Sequence, residues 1–130
     1  MPVLRQRLEI ERARLKRYRF VISGSDGAVE NVTGCSALFV ARSGPGAPSG
    51  SEFTDSAAIF TRSTSGCGIT PSASGFLVEF TKANTASLTL NQADGGAYIY
   101  ELAYIPAGET DPVMVATGEL WITPNYARGL

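Results

Sequence analysis

Short runs in which apolar and polar residues alternate recur along the chain, and each is closed by a cluster of Gly, Pro, Asp, Ser or Thr. Period-two alternation suits an extended strand, whose successive side chains point to opposite faces, and the turn clusters leave no room for long helices. The clearest run is residues 97–105. Tyr98, Tyr100, Leu102 and Tyr104 share one face there, and Ile99, Glu101, Ala103 and Ile105 share the other. Asp94-Gly95-Gly96 precedes the run and Pro106-Ala107-Gly108-Glu109 breaks it. Gly75 opens a second strand over residues 76–80, and residues 113–122 form the last, with Gly118 marking a bulge or crossing point. Residues 35–42 hold Ala37, Leu38, Phe39, Val40 and Ala41, apolar on both faces, which predicts a central strand covered on both sides. Shorter strands are predicted at 56–62 and 69–70, and residues 81–88 read as one helical turn capped by Thr81.

The opening is ambiguous by propensity. Leu4, Leu8, Leu15 and Tyr18 fit a helical face, but Glu11 interrupts it, while Leu4-Gln6-Leu8-Ile10 and Tyr18-Phe20-Ile22 alternate. The alternation predicts two strands, 5–11 and 15–22, with a kink at Arg12-Ala13 and then a turn at Ser23-Gly24-Ser25-Asp26-Gly27 that marks a hairpin connection. Seven or eight short strands at a spacing of about ten residues are the pattern of an all-β sandwich or small barrel. Phe20, Phe39, Phe80, Tyr100, Leu102 and Leu120 are its expected buried core.

A chain of 130 residues fits one domain, with a core over residues 5–124 and a frayed tail at 125–130. No apolar stretch reaches the length needed to span a bilayer, and the N-terminus has no apolar signal region, so no membrane partner and no secretion are expected. Cys35 and Cys67 are expected to be unbridged, small apolar residues.

Catalytic and cofactor chemistry lacks its usual carriers. There is no histidine, no Gly-x-Ser-x-Gly elbow, and neither Gly66-Cys67-Gly68 nor the Gly-rich stretch at 44–50 continues into a phosphate loop. The acids Asp26, Asp55, Asp94, Glu109 and Asp111 sit in turns, which explains them without acid–base work. No enzyme activity, metal or cofactor is therefore expected.

Charge is unevenly spread. Residues 1–20 carry seven basic and two acidic side chains, and the remaining residues carry four basic and ten acidic ones. Arg5, Arg7, Arg12 and Arg14 are candidate interface residues, either as a solvated edge-strand face or as a docking segment for an acidic protein surface. Nucleic acid is disfavoured by the thin aromatic interleaving, Tyr18 and Phe20 alone. The polar stretch at 43–52, with Pro45 and Pro48, reads as an exposed loop and a second candidate contact. Tyr98, Tyr100 and Tyr104 read as core packing or a ligand platform, and Trp121 as core packing or a half-exposed interface anchor.

Several short motifs together carry a family resemblance. Leu8-Glu9-Ile10-Glu11, Tyr18-Arg19-Phe20, Asp26-Gly27 and Val32-Thr33-Gly34-Cys35-Ser36-Ala37 stand at the front. Gly68-Ile69-Thr70, Gly75 to Thr81 and Thr85-Ala86-Ser87-Leu88 stand in the middle, with Gly96 to Leu102 and Gly118 to Pro124 at the end. Over residues 6–124 the chain resembles the immunoglobulin-like domain of tailed-phage baseplate upper proteins and related small phage virion proteins. That family usually has Gly near the Ala13 position and a shorter loop than 43–52. The resemblance implies an antiparallel immunoglobulin-like β-sandwich that works by attachment, without catalytic residues. Because nothing follows the last strand, the expectation is a stand-alone structural protein of the virion, assembled in the bacterial cytoplasm. It would bind other virion proteins (capsid, neck or tail subunits) in repeated copies or as a homo-oligomer, as a capsid decoration or cement protein or a neck or tail joint. A baseplate or tail-fibre attachment module is the first alternative. A carbohydrate-binding module is the second, and it would need an exposed aromatic pair.

Overall fold

The alternating runs become nine strands and one helical turn in the computed structural model, which describes residues 4–24, 26–43, 58–86, 88 and 95–124. The strands are β1 (Leu4–Arg5), β2 (Leu8–Glu11), β3 (Lys16–Phe20), β4 (Ser36–Ser43), β5 (Ala58–Ser63), β6 (Ile69–Ser72), β7 (Gly75–Phe80), β8 (Gly96–Ile105) and β9 (Val113–Thr123). The helical turn α1 (Lys82–Thr85) joins β7 to the segment before β8. Thr81 caps α1 from an extended conformation, with its N–H donating to Asn84 Oδ1 at 2.8 Å.

The strands form two sheets. The larger has the order β1-β9-β8-β4-β5 with β2 also on β9, and the smaller has the order β3-β7-β6. Counting β1 and β2 as one interrupted edge gives eight strands in two sheets, an all-β sandwich. Its strand ladders are antiparallel except along one edge, where β1 and β2 run parallel to β9, with Leu8 beside Leu120 and Ile10 beside Ile122. The antiparallel sandwich expected from the sequence is present, with this one parallel edge added to it. The two segments lie at opposite ends of the chain, so no short turn forces them antiparallel.

Inward positions of both sheets make the core. All six expected residues are buried: Phe20, Phe39, Phe80, Tyr100, Leu102 and Leu120. Phe39 is at the centre, stacked on Tyr100 at 5.3 Å between ring centroids and edge-on to Phe80 at 4.9 Å. β4 is central, between β8 and β5, as its sequence predicts, and its outer face is covered in part: Val40 is buried there while Leu38 is not. Leu38, pointing outward, is 42% exposed, since among the described residues the chain leaves β5 for the other sheet and no element is laid over this position. The turn at Asp26-Gly27 is tight, with Asp26 Oδ1 accepting from Ala28 N, but it closes only the single bridge Ser23–Val29. The hairpin connection expected there is thus a minimal one, with Gly24 N donating to Ala28 O and Glu30 N to Ile22 O, and β4, in the opposite sheet, takes no part in it.

The kink between β2 and β3 carries the chain from one sheet to the other. Ala13 has φ 61°, the left-handed region, and it is the only non-glycine there among the described residues. Backbone donors hold the kink: Arg12 N donates to Thr123 O at 2.9 Å, Ala13 N to the buried Thr85 Oγ1 at 2.8 Å, and Arg14 N to Glu11 O at 3.2 Å. A Cβ in this conformation costs about 1 kcal/mol. Ala13→Gly is expected to raise stability by about 0.5 kcal/mol, the relieved strain being partly offset by the freer unfolded chain, read as a higher denaturant midpoint at unchanged slope.

Candidate protein-interaction surface

The kink and the strands beside it decide what the arginines do. Arg7 lies along the β2–β9 edge, with its guanidinium 3.2 Å from Glu9, 3.3 Å from Glu119 and 5.0 Å from the Trp121 ring centroid. Arg12 donates to Leu88 O at 3.3 Å, and Arg14 pairs with Glu11 at 3.1 Å. Arg17 pairs across the β3–β7 ladder with Glu79 at 2.8 Å. The expected docking group of Arg5, Arg7, Arg12 and Arg14 is therefore not one surface. Arg12 and Arg14 secure the kink, Arg7 is shared between two carboxylates and an indole, and Arg5 alone of the four is exposed without an ion pair among the described residues. Arg19 and Lys16 on β3, which the candidate set omits, are also exposed. Exposed pairs of this kind each contribute roughly 0–1 kcal/mol, so they shape the surface more than they hold the fold.

Trp121 is half-buried on the outer face of the larger sheet, and the Arg7 guanidinium sits over its ring. The ring face on which a sugar would stack is thus already taken. Pro45, Pro48 and the loop at 43–52 lie outside the described residues apart from Ser43, as does the tail at 125–130. Cys35 is buried and Cys67 exposed, and both thiols are free. Among the described residues no His/Cys/Asp/Glu cluster is arranged to hold a metal ion, and no helix is long and apolar enough to cross a membrane.

Two open surfaces stand out among the described residues. The first is the outer face of the larger sheet, where Leu38 and Met114 are exposed and Ile99, Ala103 and Ile105 half-buried. A depression of about 410 Å³ lies at one end of it, lined by Leu38, Ala103, Ile105 and Pro112 among others. An antiparallel sheet with a solvated face ordinarily alternates apolar-in and polar-out, and β4 and β8 break that rule here. The second surface is the side of the sandwich where the edge of β1 and β2 faces the edge of β3. Tyr18 spans it at one end, its hydroxyl donating to Glu9 O at 2.6 Å and accepting from Glu9 N at 3.1 Å. Beyond this clamp the side opens into a groove of about 370 Å³, lined by Leu4, Leu8, Arg19, Phe20, Val21 and Ile22 among others.

The tyrosines pack as expected, and their hydroxyls tie distant segments together. Tyr100 donates to Gln6 O at 2.6 Å and Tyr104 to Glu30 Oε2 at 3.1 Å. Burial, with a smaller contribution from Tyr18, raises the Tyr100 pKa to about 12. Burial and then the Glu30 carboxylate raise Tyr104 to about 12. Unfolded tyrosines titrate near 10. Because the folded values are higher, the associated stability is complete below about pH 10 and is lost as pH rises from about 10 to 12. Alkaline titration is expected to show two of the five tyrosines ionising late, together with loss of the fold, when absorbance at the tyrosinate band is followed alongside circular dichroism.

One buried cation escaped the sequence reading. Arg62, on β5, is only 8% exposed and points between the sheets, where its Nε donates to Glu79 O of β7 at 2.8 Å. Gly68 makes room for it, since a side-chain carbon there would overlap the guanidinium. The signal was Gly66-Cys67-Gly68, a glycine pair with no phosphate-loop context.

No family model and no curated protein matches this chain.

Proposed function

We propose that the chain is a non-enzymatic structural domain of a tailed-phage virion, an immunoglobulin-like accessory module that binds other virion subunits as a capsid decoration or cement protein or as a neck or tail joint. The observation that carries this reading is the agreement between the motifs of the resemblance and the strands. Tyr18-Arg19-Phe20 lies on β3 and Ser36-Ala37 opens β4. Gly75 to Phe80 is β7, Gly96 to Leu102 is in β8, and Gly118 to Thr123 ends β9. Leu8 to Glu11 is β2 and Ile69-Thr70 opens β6, so the motifs fall on seven strands of one sandwich, whose inward residues bury its core. The left-handed Ala13 also stands where that family usually carries Gly. The exposed apolar residues on β4 and β9 support a protein-binding role, because a contiguous apolar face on a sheet marks an interaction site.

The experiment is to purify particles from a strain that carries the gene and from its deletion mutant, and to quantify the chain by mass spectrometry after density-gradient separation. A fixed copy number per particle is expected, restored when purified chain is added to the deletion particles. A chain left wholly in the unassembled fraction overturns the reading.

A further inference from the structure

We propose that the open edge of β3 is a strand-addition site for an extended partner segment in which acidic and apolar residues alternate. The proposal rests on the reading of the chain as a protein-binding domain and adds the surface and the chemistry of what it binds.

β3 has one ladder neighbour, β7, so the backbone N–H and C=O groups turned away from β7 have no strand partner among the described residues. An unpaired strand edge is a template for another extended chain. The side chains along it select which chain. Arg17 and Arg19 stand on the outer face, opposite Glu79 and Leu77, and only Arg17 meets a carboxylate there. Tyr18 and Phe20 point inward, next to the groove where Leu4 is 46% and Val21 52% exposed. A strand laid antiparallel or parallel on this edge places every second side chain beside Arg17 and Arg19, and the intervening ones over the groove. The first set is matched by Asp or Glu, and the second by Val, Ile or Leu.

The same charges exclude the commonest alternative. A second copy pairing through its own β3 would set Lys16, Arg17 and Arg19 against an identical row, and like charges directly across a ladder are destabilising. The site therefore selects a different, acidic segment and resists edge-to-edge self-association.

The test titrates the whole chain with a short synthetic peptide of alternating Asp and Val, with a Lys/Val peptide, with the Asp/Val peptide N-methylated at alternate residues, and with a single-stranded oligonucleotide. The Asp/Val peptide is expected to bind, more weakly at high salt, and to slow amide hydrogen exchange across residues 16–21. N-methylation, which blocks one peptide edge, and Arg19→Glu, at an exposed position that leaves the fold intact, are each expected to weaken binding by about tenfold or more. Absence of binding by the Asp/Val peptide overturns the proposal. So does equal binding of the N-methylated peptide or tighter binding of the oligonucleotide, since either would mean that charge alone is recognised. Particle association is measured separately, so a chain that enters particles but ignores the peptide defeats only this inference. A chain that takes the peptide but never enters particles defeats only the virion reading.

Discussion

Phe39→Ala is expected to destabilise the domain by about 3–5 kcal/mol, a large share of the roughly 5–15 kcal/mol that holds a domain of this kind together. Phe39 is fully buried on β4 and touches rings from both sheets: Tyr100 and Phe60 stack beside it within its own sheet, and Phe80 meets it edge-on from the other. Removing the ring leaves a void at the one point where β4, β5, β7 and β8 all converge, and rings held by neighbouring strands cannot close on it without moving the sheets. The neighbour Leu38, one residue away but on the outer face, supplies the control. Leu38→Ala should cost about 1 kcal/mol or less, because that side chain is already partly in water. Urea or guanidinium unfolding of both variants checks the contrast, and comparable losses for the two would show that the packing of β4 is misjudged.

Gly118→Val is expected to cost roughly 3 kcal/mol and to detach the opening strand before the rest of the sandwich unfolds. Gly118 has φ 154°, at the limit of the region that favours glycine, and a side-chain carbon there would overlap the Gln6 carbonyl. Gln6 is where β1 and β2 are interrupted as they run along β9, and its carbonyl also accepts from Tyr100. Pushing this backbone away would release Leu8 and Ile10, both almost wholly buried, from their places beside Leu120 and Ile122. It would also uncover Trp121, which lies beside Glu9 in the same pairing, so the single tryptophan should report a red-shifted emission. Trypsin should then cut at the arginines of residues 5–14 well below the global unfolding midpoint. Uniform destabilisation with no early cleavage would mean that the strand and the sandwich unfold as one unit.

The two substitutions mark different depths of what could be read in advance. Phe39 was legible as core because alternation assigns a face to every residue of a strand, and an aromatic on the apolar face of a central strand has nowhere else to go. Gly118 was legible as a bulge or crossing point. The register shift between β8 and β9 in fact falls at Leu102/Ala103, and Gly118 is instead where another backbone passes close by. A glycine in a strand announces a special position without saying which neighbour requires it.

The interaction surface was harder to read. Seven basic residues within the first twenty suggested one docking segment, yet Arg7, Arg14 and Arg17 are matched to Glu9, Glu119, Glu11 and Glu79 within the chain. The two partners nearest in sequence, Glu9 for Arg7 and Glu11 for Arg14, were visible. Glu79, 62 positions from Arg17, became a neighbour only through the β3–β7 ladder. The doubly apolar β4 likewise implied two covers, and among the described residues the outer one is partial, with Val40 buried and Leu38 exposed.

The main strands, the kink at Ala13, the helical turn after Thr81 and the six core residues from Phe20 to Leu120 were determined by the sequence alone. They follow from local periodicity and from what each backbone position tolerates. Only the tertiary structure decided that the opening strand lies parallel on β9, that Arg62 crosses to Glu79 O, that Tyr100 holds Gln6 from 94 positions away, and that β3 has β7 as its one ladder neighbour among the described residues. Each of these depends on which distant segments become neighbours. Two segments with equally good alternation can pair in several ways, and the choice among them is made by the whole core at once, when the inward faces of both sheets must close over Phe39 and its neighbours.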